Sequence, residues 1–266
     1  MSAAQQTHPD TQSRIQQSFC RGFQSYNDNA HVQARIATDL AAKFRSLVGE
    51  ARFRRAFEFG CGTGFLTREL TAQFTVDHWT LNDLVAECQP HVAPYFSTSN
   101  GAWTFLPGAV ETVDLPQNCD LIASTSAIQW VSDTPALLNR LSTHLAPGGW
   151  LVLSSFGPGQ FYELQDFGSD PAQMSYFDAT TWRDMLPEGL EPRHIALTRQ
   201  SARFATVRDM LVHLRNTGVN GNSQQNWTRS KLAAFEDAYA RRFTGPDQKI
   251  HLTYAPVYII AQKTTS

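Results

Sequence analysis

The chain has 266 residues, of which 42% are hydrophobic, and its formal net charge at pH 7 is −2. This length predicts one enzyme-sized domain with additions rather than two full-sized domains. The near-neutral charge gives no basic footprint for nucleic acid, and no apolar run reaches the roughly 18 to 20 residues that span a bilayer. Four cysteines without C-x-x-C spacing and a polar segment 1–10 predict neither a disulfide framework, a metal site nor secretion, so we expect a cytoplasmic monomer.

Helical patterns and strand-like apolar runs alternate along the chain. Helices are predicted at 15–26, 32–48, 65–74, 137–145, 207–216 and 229–243. Strands are predicted at 56–59, 79–81, 103–106, 121–124, 150–156 and 254–262. The alternation predicts an α/β fold with a doubly wound, mostly parallel sheet wrapped by helices. The break from Ala146 to Gly149 is expected to end one helix and to lead into the strand at 150–156.

Three glycines, Gly60, Gly62 and Gly64, connect the first predicted strand directly to a helix. A dinucleotide site has the pattern G-x-G-x-x-G, whose third glycine would fall at position 65, where this chain has Phe. The same glycines also fit a tight strand-to-helix turn that binds nothing. Glu58 before the loop and Asp83 at the end of the next apolar run favour a ligand site.

This combination resembles motif I and the second acidic motif of class I S-adenosylmethionine-dependent methyltransferases. The resemblance implies a Rossmann-like, mostly parallel seven-stranded sheet and S-adenosylmethionine as cofactor. It implies that the bare backbone of the loop approaches the methionyl and ribose portions. Asp83 would accept hydrogen bonds from the ribose hydroxyls, and Glu58 would steady either the loop or the ammonium group. Cys61 and Leu84, which lie within these motifs, are further expected cofactor contacts.

Four separated segments resemble a narrower family, the malonyl-[acyl-carrier protein] O-methyltransferases of biotin synthesis. The segments are 19–33, 126–131, 214–220 and 252–254. The resemblance implies methyl transfer to the free carboxylate of a malonyl thioester and an acidic carrier protein as partner. We therefore expect a single methyltransferase domain over 1–266, with a helical cap at 1–50 and insertions at 157–177 and 207–249 that cover the site.

One position departs from the family pattern. After the third strand these enzymes carry an acidic residue in a Gly-Asp-x-Glu context, whereas this chain has Ala109 between Gly108 and Val110. Alanine cannot accept a bond from the adenine amino group. Adenine recognition is therefore expected from backbone groups near Ala109 and Val110, or from the Glu111 side chain.

The expected reaction is in-line displacement by a carboxylate that is already ionised at pH 7, because such acids titrate near ~4. The protein must supply positioning and a dry site rather than a general base. Arg215 is our first candidate for holding the malonyl carboxylate, since arginine binds carboxylates bidentately. The alternative is an exposed arginine that interacts with the negative end of a helix dipole.

Four further residues are candidates around the cofactor and the acceptor. Tyr26 and His31 lie in the N-terminal match and would close over the cofactor, although a lone histidine is often structural. Gln129 and Trp130 follow the fourth strand, where they would border the sulfonium and the acceptor. Trp130 also fits ordinary packing under the next helix.

Cationic residues late in the chain are the expected docking surface for the acidic carrier. They are Arg203, Arg208, Arg215, Arg229, Lys231, Arg241, Arg242 and Lys249. Two other readings stay open at this point: a methyltransferase for a free small-molecule acid or quinone precursor, and a non-catalytic cofactor-binding scaffold.

Overall fold

The computed structural model describes residue 27 and residues 29–96, 101–167, 176–217 and 228–265. Nine strands lie in these ranges: β1 Arg52–Phe59, β2 Thr75–Asp83, β3 Ala102–Pro107, β4 Cys119–Thr125, β5 Leu145–Phe156, β6 Leu190–Leu197, β7 Gln200–Phe204, β8 Ile250–Tyr254 and β9 Pro256–Lys263. Seven of them form one sheet in the order β3-β2-β1-β4-β5-β9-β6, while β7 and β8 form a separate pair. β1 to β5 run parallel, and β9 is antiparallel to both β5 and β6. The predicted doubly wound, mostly parallel sheet is confirmed.

Eight α-helices lie in the described ranges: α1 His31–Val48, α2 Phe65–Gln73, α3 Gln89–Val92, α4 Thr134–His144, α5 Tyr162–Gln165, α6 Ala179–Asp184, α7 Val207–Asn216 and α8 Arg229–Phe243. The predicted helix at 15–26 lies outside the described residues. None of the helices described is both long enough and apolar enough to cross a membrane.

The core consists of two apolar layers, one on each face of the sheet. Neighbouring residues of a strand belong to opposite layers, as Ala56 and Phe57 do in β1, and Leu121 and Ile122 in β4. This is why the central strands are nearly continuous apolar runs rather than alternating ones, as expected for a parallel sheet covered by helices on both faces.

The predicted final strand at 254–262 is wrong as a single element. Tyr254 ends β8 and pairs with Gln200, whereas Pro256 begins β9 and pairs with Phe156. The chain therefore changes sheets at Ala255, a buried residue within an unbroken apolar run. Hydrophobic periodicity alone merges the two strands, although Pro256, which directly follows, is a residue that interrupts strands.

The strand β6 was not predicted because it lies at the edge of the sheet. Its first half is largely exposed and contains Pro192, so it lacks the apolar run that identifies the central strands. Likewise, β5 begins at Leu145, earlier than the predicted strand start at 150. The pairing of β4 with β5 is irregular between Cys119 and Leu121, which places the Pro-Gly-Gly segment inside the strand rather than before it.

The carboxyl ends of the parallel strands share one edge of the sheet, and the predicted site residues follow these ends. The strand order reverses between β1 and β4, which are neighbours in space. In open α/β sheets ligands bind in the crevice at this reversal. The loop 60–64 after β1 and the turn 126–130 after β4 border it.

Candidate functional site

Glycine is required at the three loop positions for different structural reasons. All have positive φ, at 61° for Gly60, 52° for Gly62 and 86° for Gly64. A Cβ on Gly60 would lie 2.3 Å from the Cβ of Ala127, and one on Gly64 would lie 2.6 Å from Tyr95 Cε2. A Cβ on Gly62 would meet no atom within 4 Å. Gly60 and Gly64 therefore let the protein pack against itself, and Gly62 is the glycine whose bare face borders open space.

Asp83 connects the end of β2 to this loop. Its Oδ2 accepts a hydrogen bond from the Gly62 N–H at 2.8 Å, and its Oδ1 accepts one from the Val85 N–H at 2.9 Å. Burial raises the pKa of the Asp83 carboxyl, although these hydrogen bonds act in the opposite direction. The Leu84 N–H and the Cys88 thiol also hydrogen-bond to this carboxyl, so a ligand hydroxyl would share its oxygens with these protein donors. Leu84, beside it, is half-buried.

Glu58 lies fully buried at the end of β1. Its Oε2 accepts a hydrogen bond from the Thr67 hydroxyl of α2 at 2.8 Å. Burial raises the pKa of this carboxyl from the usual 4.5 to about 8, so it is largely protonated at neutral pH. The side chain therefore fixes the start of α2 against β1 without placing a full negative charge in the site.

Cys61 takes part through its backbone. Its N–H donates to the Asn82 carbonyl at 3.1 Å, and its carbonyl accepts from the Gly64 N–H at 2.9 Å. The thiol is buried, and burial raises its pKa well above the usual value. A thiol in this state is not a nucleophile at neutral pH.

Several buried oxygen atoms around the crevice have no hydrogen-bond partner among the described residues. They are Glu58 Oε1, Thr63 Oγ1, Ser124 Oγ, Ser126 Oγ and Gln129 Oε1. All five belong to the ends of β1 and β4 or to the loops that follow. Because a buried polar group without a partner costs about 1–3 kcal/mol, their concentration at one place indicates a site where a polar ligand supplies partners.

The turn after β4 holds Gln129 and Trp130. Ser126 has a φ of 52°, and its N–H donates to the Ser154 carbonyl of β5 at 3.1 Å. Gln129 is buried and donates from Nε2 to the Ser126 carbonyl at 2.7 Å, which leaves its Oε1 as the unpaired acceptor. Trp130, at the end of the 3-10 turn Ile128–Trp130, is half-buried.

The loop after β3 limits how a nucleobase is recognised. The Ala109 carbonyl accepts from the N–H groups of Thr112 at 2.9 Å and Val113 at 3.1 Å. The Arg140 guanidinium of α4 donates to the carbonyls of Val110 and Val113. The carbonyls of Ala109 and Val110 thus accept hydrogen bonds within the protein, and the amide N–H groups of these two residues form no hydrogen bond that these ranges describe. Arg140, which organises this loop, carries no sequence signal that identifies the role.

A buried histidine joins the late insertion to the N-terminal segment. Nε2 of His213 in α7 lies 2.6 Å from the Tyr254 hydroxyl, and the ring is also hydrogen-bonded to the Asn29 backbone. Burial lowers the pKa of His213, with nearby His31 acting in the same direction. His31 itself is exposed at the first position of α1. Sequence reasoning missed His213, although its place on the apolar face of α7 was a usable signal.

Two of the predicted substrate and cofactor residues, Arg215 and Tyr26, have no described contact with the crevice. Arg215 is exposed in the last turn of α7, on the side away from buried Met210 and Leu214. Its assignment as the carboxylate clamp stays a prediction. Tyr26 lies outside the described residues, as does the end of the predicted match at 214–220.

Comparison with known proteins identifies the family. A family model described as "Methyltransferase domain" matches residues 29–203. The chain is 35% identical over 257 residues to the malonyl-[acyl-carrier protein] O-methyltransferase of Acinetobacter baylyi, covering 95% of this chain and 97% of that protein. It is 33% identical to the protein of the same name from Porphyromonas gingivalis, covering 92% and 93% respectively.

A solved structure supports the fold alone. The N-methyltransferase NodS from Bradyrhizobium japonicum WM9, in complex with S-adenosyl-L-homocysteine, superposes with a TM-score of 0.56 at 13% identity, covering 94% of this chain and 98% of that one. Together with the glycine loop, Asp83 and the strand order, these matches show that the chain is a class I methyltransferase of the malonyl-[acyl-carrier protein] O-methyltransferase family.

Proposed function

We propose that this enzyme transfers the methyl group of S-adenosylmethionine to the free carboxylate of a malonyl group held as a thioester on acyl-carrier protein. The product is the malonyl methyl ester that starts pimeloyl synthesis in the biotin pathway. One observation carries the proposal: the Gly62 N–H is bound to Asp83 beside open space at the reversal of the strand order. This site belongs to a chain related over almost its whole length to enzymes of that name.

The residues at the crevice fit S-adenosylmethionine. Asp83 places a carboxyl beside the loop, where ribose hydroxyls can donate to it, and the open face of Gly62 allows the cofactor to approach the backbone. The amide N–H groups at Ala109 and Val110 are suited to the ring nitrogens of adenine, because the carbonyls there are engaged internally. The cofactor supplies a positively charged sulfonium with a transferable methyl group and carries no phosphate to neutralise.

The protein's own contribution is positioning and exclusion of water. The malonyl carboxylate is ionised at neutral pH, so the chain needs no general base to activate it. Gln129 and Trp130, in the turn after β4, are our candidates for bordering the sulfonium and the acceptor, because an indole face attracts a sulfonium. A dry site favours the reaction because opposite charges disappear as the methyl group moves. Largely protonated Glu58 avoids repelling the incoming carboxylate.

The late insertion is our candidate for covering the acceptor. In the described parts of the expected insertions 157–177 and 207–249, Phe161 and His213 both contact Tyr254: the Phe161 and Tyr254 ring centroids are 4.8 Å apart, and His213 Nε2 lies 2.6 Å from the Tyr254 hydroxyl. We propose that these insertions, together with the expected cap at 1–50, cover the acceptor. We retain Arg215 as the candidate for the malonyl carboxylate and Tyr26 for closing over the cofactor. Because Arg215 is exposed, this role requires the end of α7 to turn inward when the substrate enters.

The cationic residues expected to dock the carrier fall into two groups, those that form ion pairs and those that do not. Arg203, Arg241 and Arg242 form ion pairs with Asp247, Asp237 and Asp166. Among the residues described, the side chains of the others form no ion pair; they are Arg208, Arg215, Arg229, Lys231 and Lys249. We propose this second group as the docking surface for the acidic carrier, in the cytoplasm, where the free thiols of Cys61, Cys88 and Cys119 remain reduced.

The test is turnover with matched acceptors. Malonyl-carrier protein, carrier without the malonyl group and free malonate are each incubated with the enzyme and methyl-labelled cofactor. We expect label only on the malonyl-carrier protein, in a form that mild base releases as methanol. Equal labelling of free malonate would favour a small-acid methyltransferase, and label on the carrier without malonate would contradict the carboxylate assignment. An enzyme that neither binds the cofactor nor transfers label would be a scaffold.

A further inference from the structure

A second cavity, of about 540 Å³, lies at the same edge of the sheet as the glycine loop but shares no residue with the crevice described above. Its lining residues are Gly159, Tyr162, Arg199, Gln200, Ser201 and Thr253. Gly159 and Tyr162 follow the carboxyl end of β5, and Arg199 follows the carboxyl end of β6. The volume is within the roughly 300–1,000 Å³ range of small-molecule sites.

Arg199 brings an uncompensated positive charge to this cavity. Its side chain is exposed and forms no ion pair or hydrogen bond with the residues that the structure describes. The guanidinium lies across Gly159, with Nη2 and Nε at 3.6 and 3.7 Å from where a Cβ of that glycine would be. By contrast, Arg203 on β7 is paired with Asp247 at 3.6 Å. Arg199 is thus placed by packing over bare backbone, with its donors directed to the cavity or solvent.

The other polar groups of the wall are largely committed elsewhere. Gln200 donates from Nε2 to Asp39 and to the Tyr258 hydroxyl, both at 3.3 Å. Thr253 donates its N–H and its hydroxyl to the buried Glu163 carboxylate, at 3.0 and 2.7 Å. These bonds satisfy both oxygens of that carboxylate and turn it away from a ligand.

Two hydroxyls also line the cavity. Tyr162 is 48% exposed, and its hydroxyl has no hydrogen-bond partner in the described part of the chain. The Ser201 hydroxyl, also exposed, lies 3.2 Å from Nδ1 of His251. One unpaired guanidinium with a tyrosine hydroxyl beside it is a donor set for an anion with several oxygens, since arginine binds phosphate through two parallel N–H groups.

We infer that the Arg199 cavity binds the phosphate of the thioester arm that carries the malonyl group. The inference rests on the proposed function, because the arm has to leave the site along this edge once the carboxylate lies beside the cofactor. A carrier's arm is joined to its protein through a phosphodiester, and the phosphate is the arm's one charged group. The cavity therefore positions the substrate by an anion remote from the reacting carboxylate.

The experiment compares acceptors that differ only in the phosphate. KM and kcat are measured for malonyl-pantetheine and for malonyl-pantetheine 4′-phosphate, with wild type and Arg199→Gln. We expect Arg199→Gln to raise KM about fivefold for the phosphorylated acceptor alone, the size expected for a partly exposed charge-assisted contact. The kcat and the cofactor affinity should not change. Arg183→Gln is the matched control: this exposed arginine precedes β6 rather than following it, and it should leave both acceptors unaffected.

A binding measurement separates this inference from the proposed function. Pantetheine 4′-phosphate without a malonyl group is titrated calorimetrically into wild type, Arg199→Gln and Arg199→Lys. We expect weaker binding to the glutamine variant and partial recovery with lysine. Equal changes for both acceptors, or a KM change seen only with the whole carrier protein, would overturn the phosphate assignment. Phosphate-dependent binding without methyl transfer to any malonyl thioester would contradict the proposed function while supporting the cavity's role.

Discussion

Glu58 is a buried carboxyl whose ionisation should make the stability of the protein fall as the pH rises. In the unfolded chain this group titrates near 4.5, whereas burial raises its pKa in the folded protein to about 8. Between these values folding requires the uptake of a proton, so the free energy of unfolding decreases from pH 4.5 up to pH 8. The difference of 8 − 4.5 corresponds to an upper limit of about 5 kcal/mol, at 1.36 kcal/mol for each pKa unit.

Glu58→Gln removes this ionisation and keeps an oxygen that can accept the bond from Thr67. We expect the variant to be more stable than wild type by about 1–3 kcal/mol at pH 8, and the gain to shrink to less than ~1 kcal/mol at pH 5. The measurement is urea unfolding without cofactor at both pH values, compared at constant m-value. Other carboxyls, including Asp83, are common to both proteins, so their titration cancels in the comparison.

Glu163→Gln is the control for this prediction. The Glu163 carboxylate is also buried, but both of its oxygens accept hydrogen bonds from Thr253. An amide has one acceptor oxygen and would direct its NH2 at a donor, so this variant should be less stable than wild type at both pH values. If Glu58→Gln gave the same pH dependence as wild type, the account of Glu58 as a carboxyl protonated at neutral pH would be refuted.

Three further experiments test the crevice and the insertion. Gly62→Ala should cost about 1 kcal/mol of stability through its positive φ and should weaken cofactor binding. Gly60→Ala should cost about 1–3 kcal/mol more, because its Cβ would overpack against Ala127. Urea unfolding and calorimetric titration measure the two effects, and equal stability losses would contradict the roles assigned to the two glycines. Asp83→Asn should lower cofactor affinity at least about tenfold, because an amide offers one acceptor oxygen in place of two. The far-UV circular dichroism should be unchanged. An unchanged cofactor affinity would contradict the proposed contact between Asp83 and the ribose. A double-mutant cycle with His213→Phe and Tyr254→Phe should give a coupling of about 1–2 kcal/mol, and additive effects would show that their hydrogen bond contributes nothing.

The helices and the glycine loop could be predicted because their determinants are local in sequence. The helix Val207–Asn216 was predicted with these bounds, and the structure shows why: Thr206 and Asp209 form a reciprocal capping box at its start. The strand β6 and the division at Ala255 could not be predicted from hydrophobic periodicity, since edge exposure and a change of sheet leave no periodic signal. Pro256 was the one usable signal of a break at that division.

The position of the glycine loop and Asp83 at the ends of β1 and β2 could be predicted from the sequence, but the separate structural roles of the loop residues could not. The pattern of glycines with Asp83 identifies the crevice from sequence. Gly60 packs against Ala127, and Arg140 donates hydrogen bonds to two loop carbonyls. Both contacts join residues that are far apart in the chain, so local sequence patterns do not show them. Recognition of adenine by backbone groups near Ala109 and Val110 stays a prediction.

The most direct test of the central claim is intact-mass spectrometry of malonyl-carrier protein after reaction with a deuterated-methyl cofactor. The account predicts the gain of one labelled methyl group, its loss on mild alkaline treatment, and a gain at least about fivefold slower with Asp83→Asn at a cofactor concentration near the wild-type Kd. A methyl group that survives alkali, or full activity of Asp83→Asn under those conditions, would contradict it.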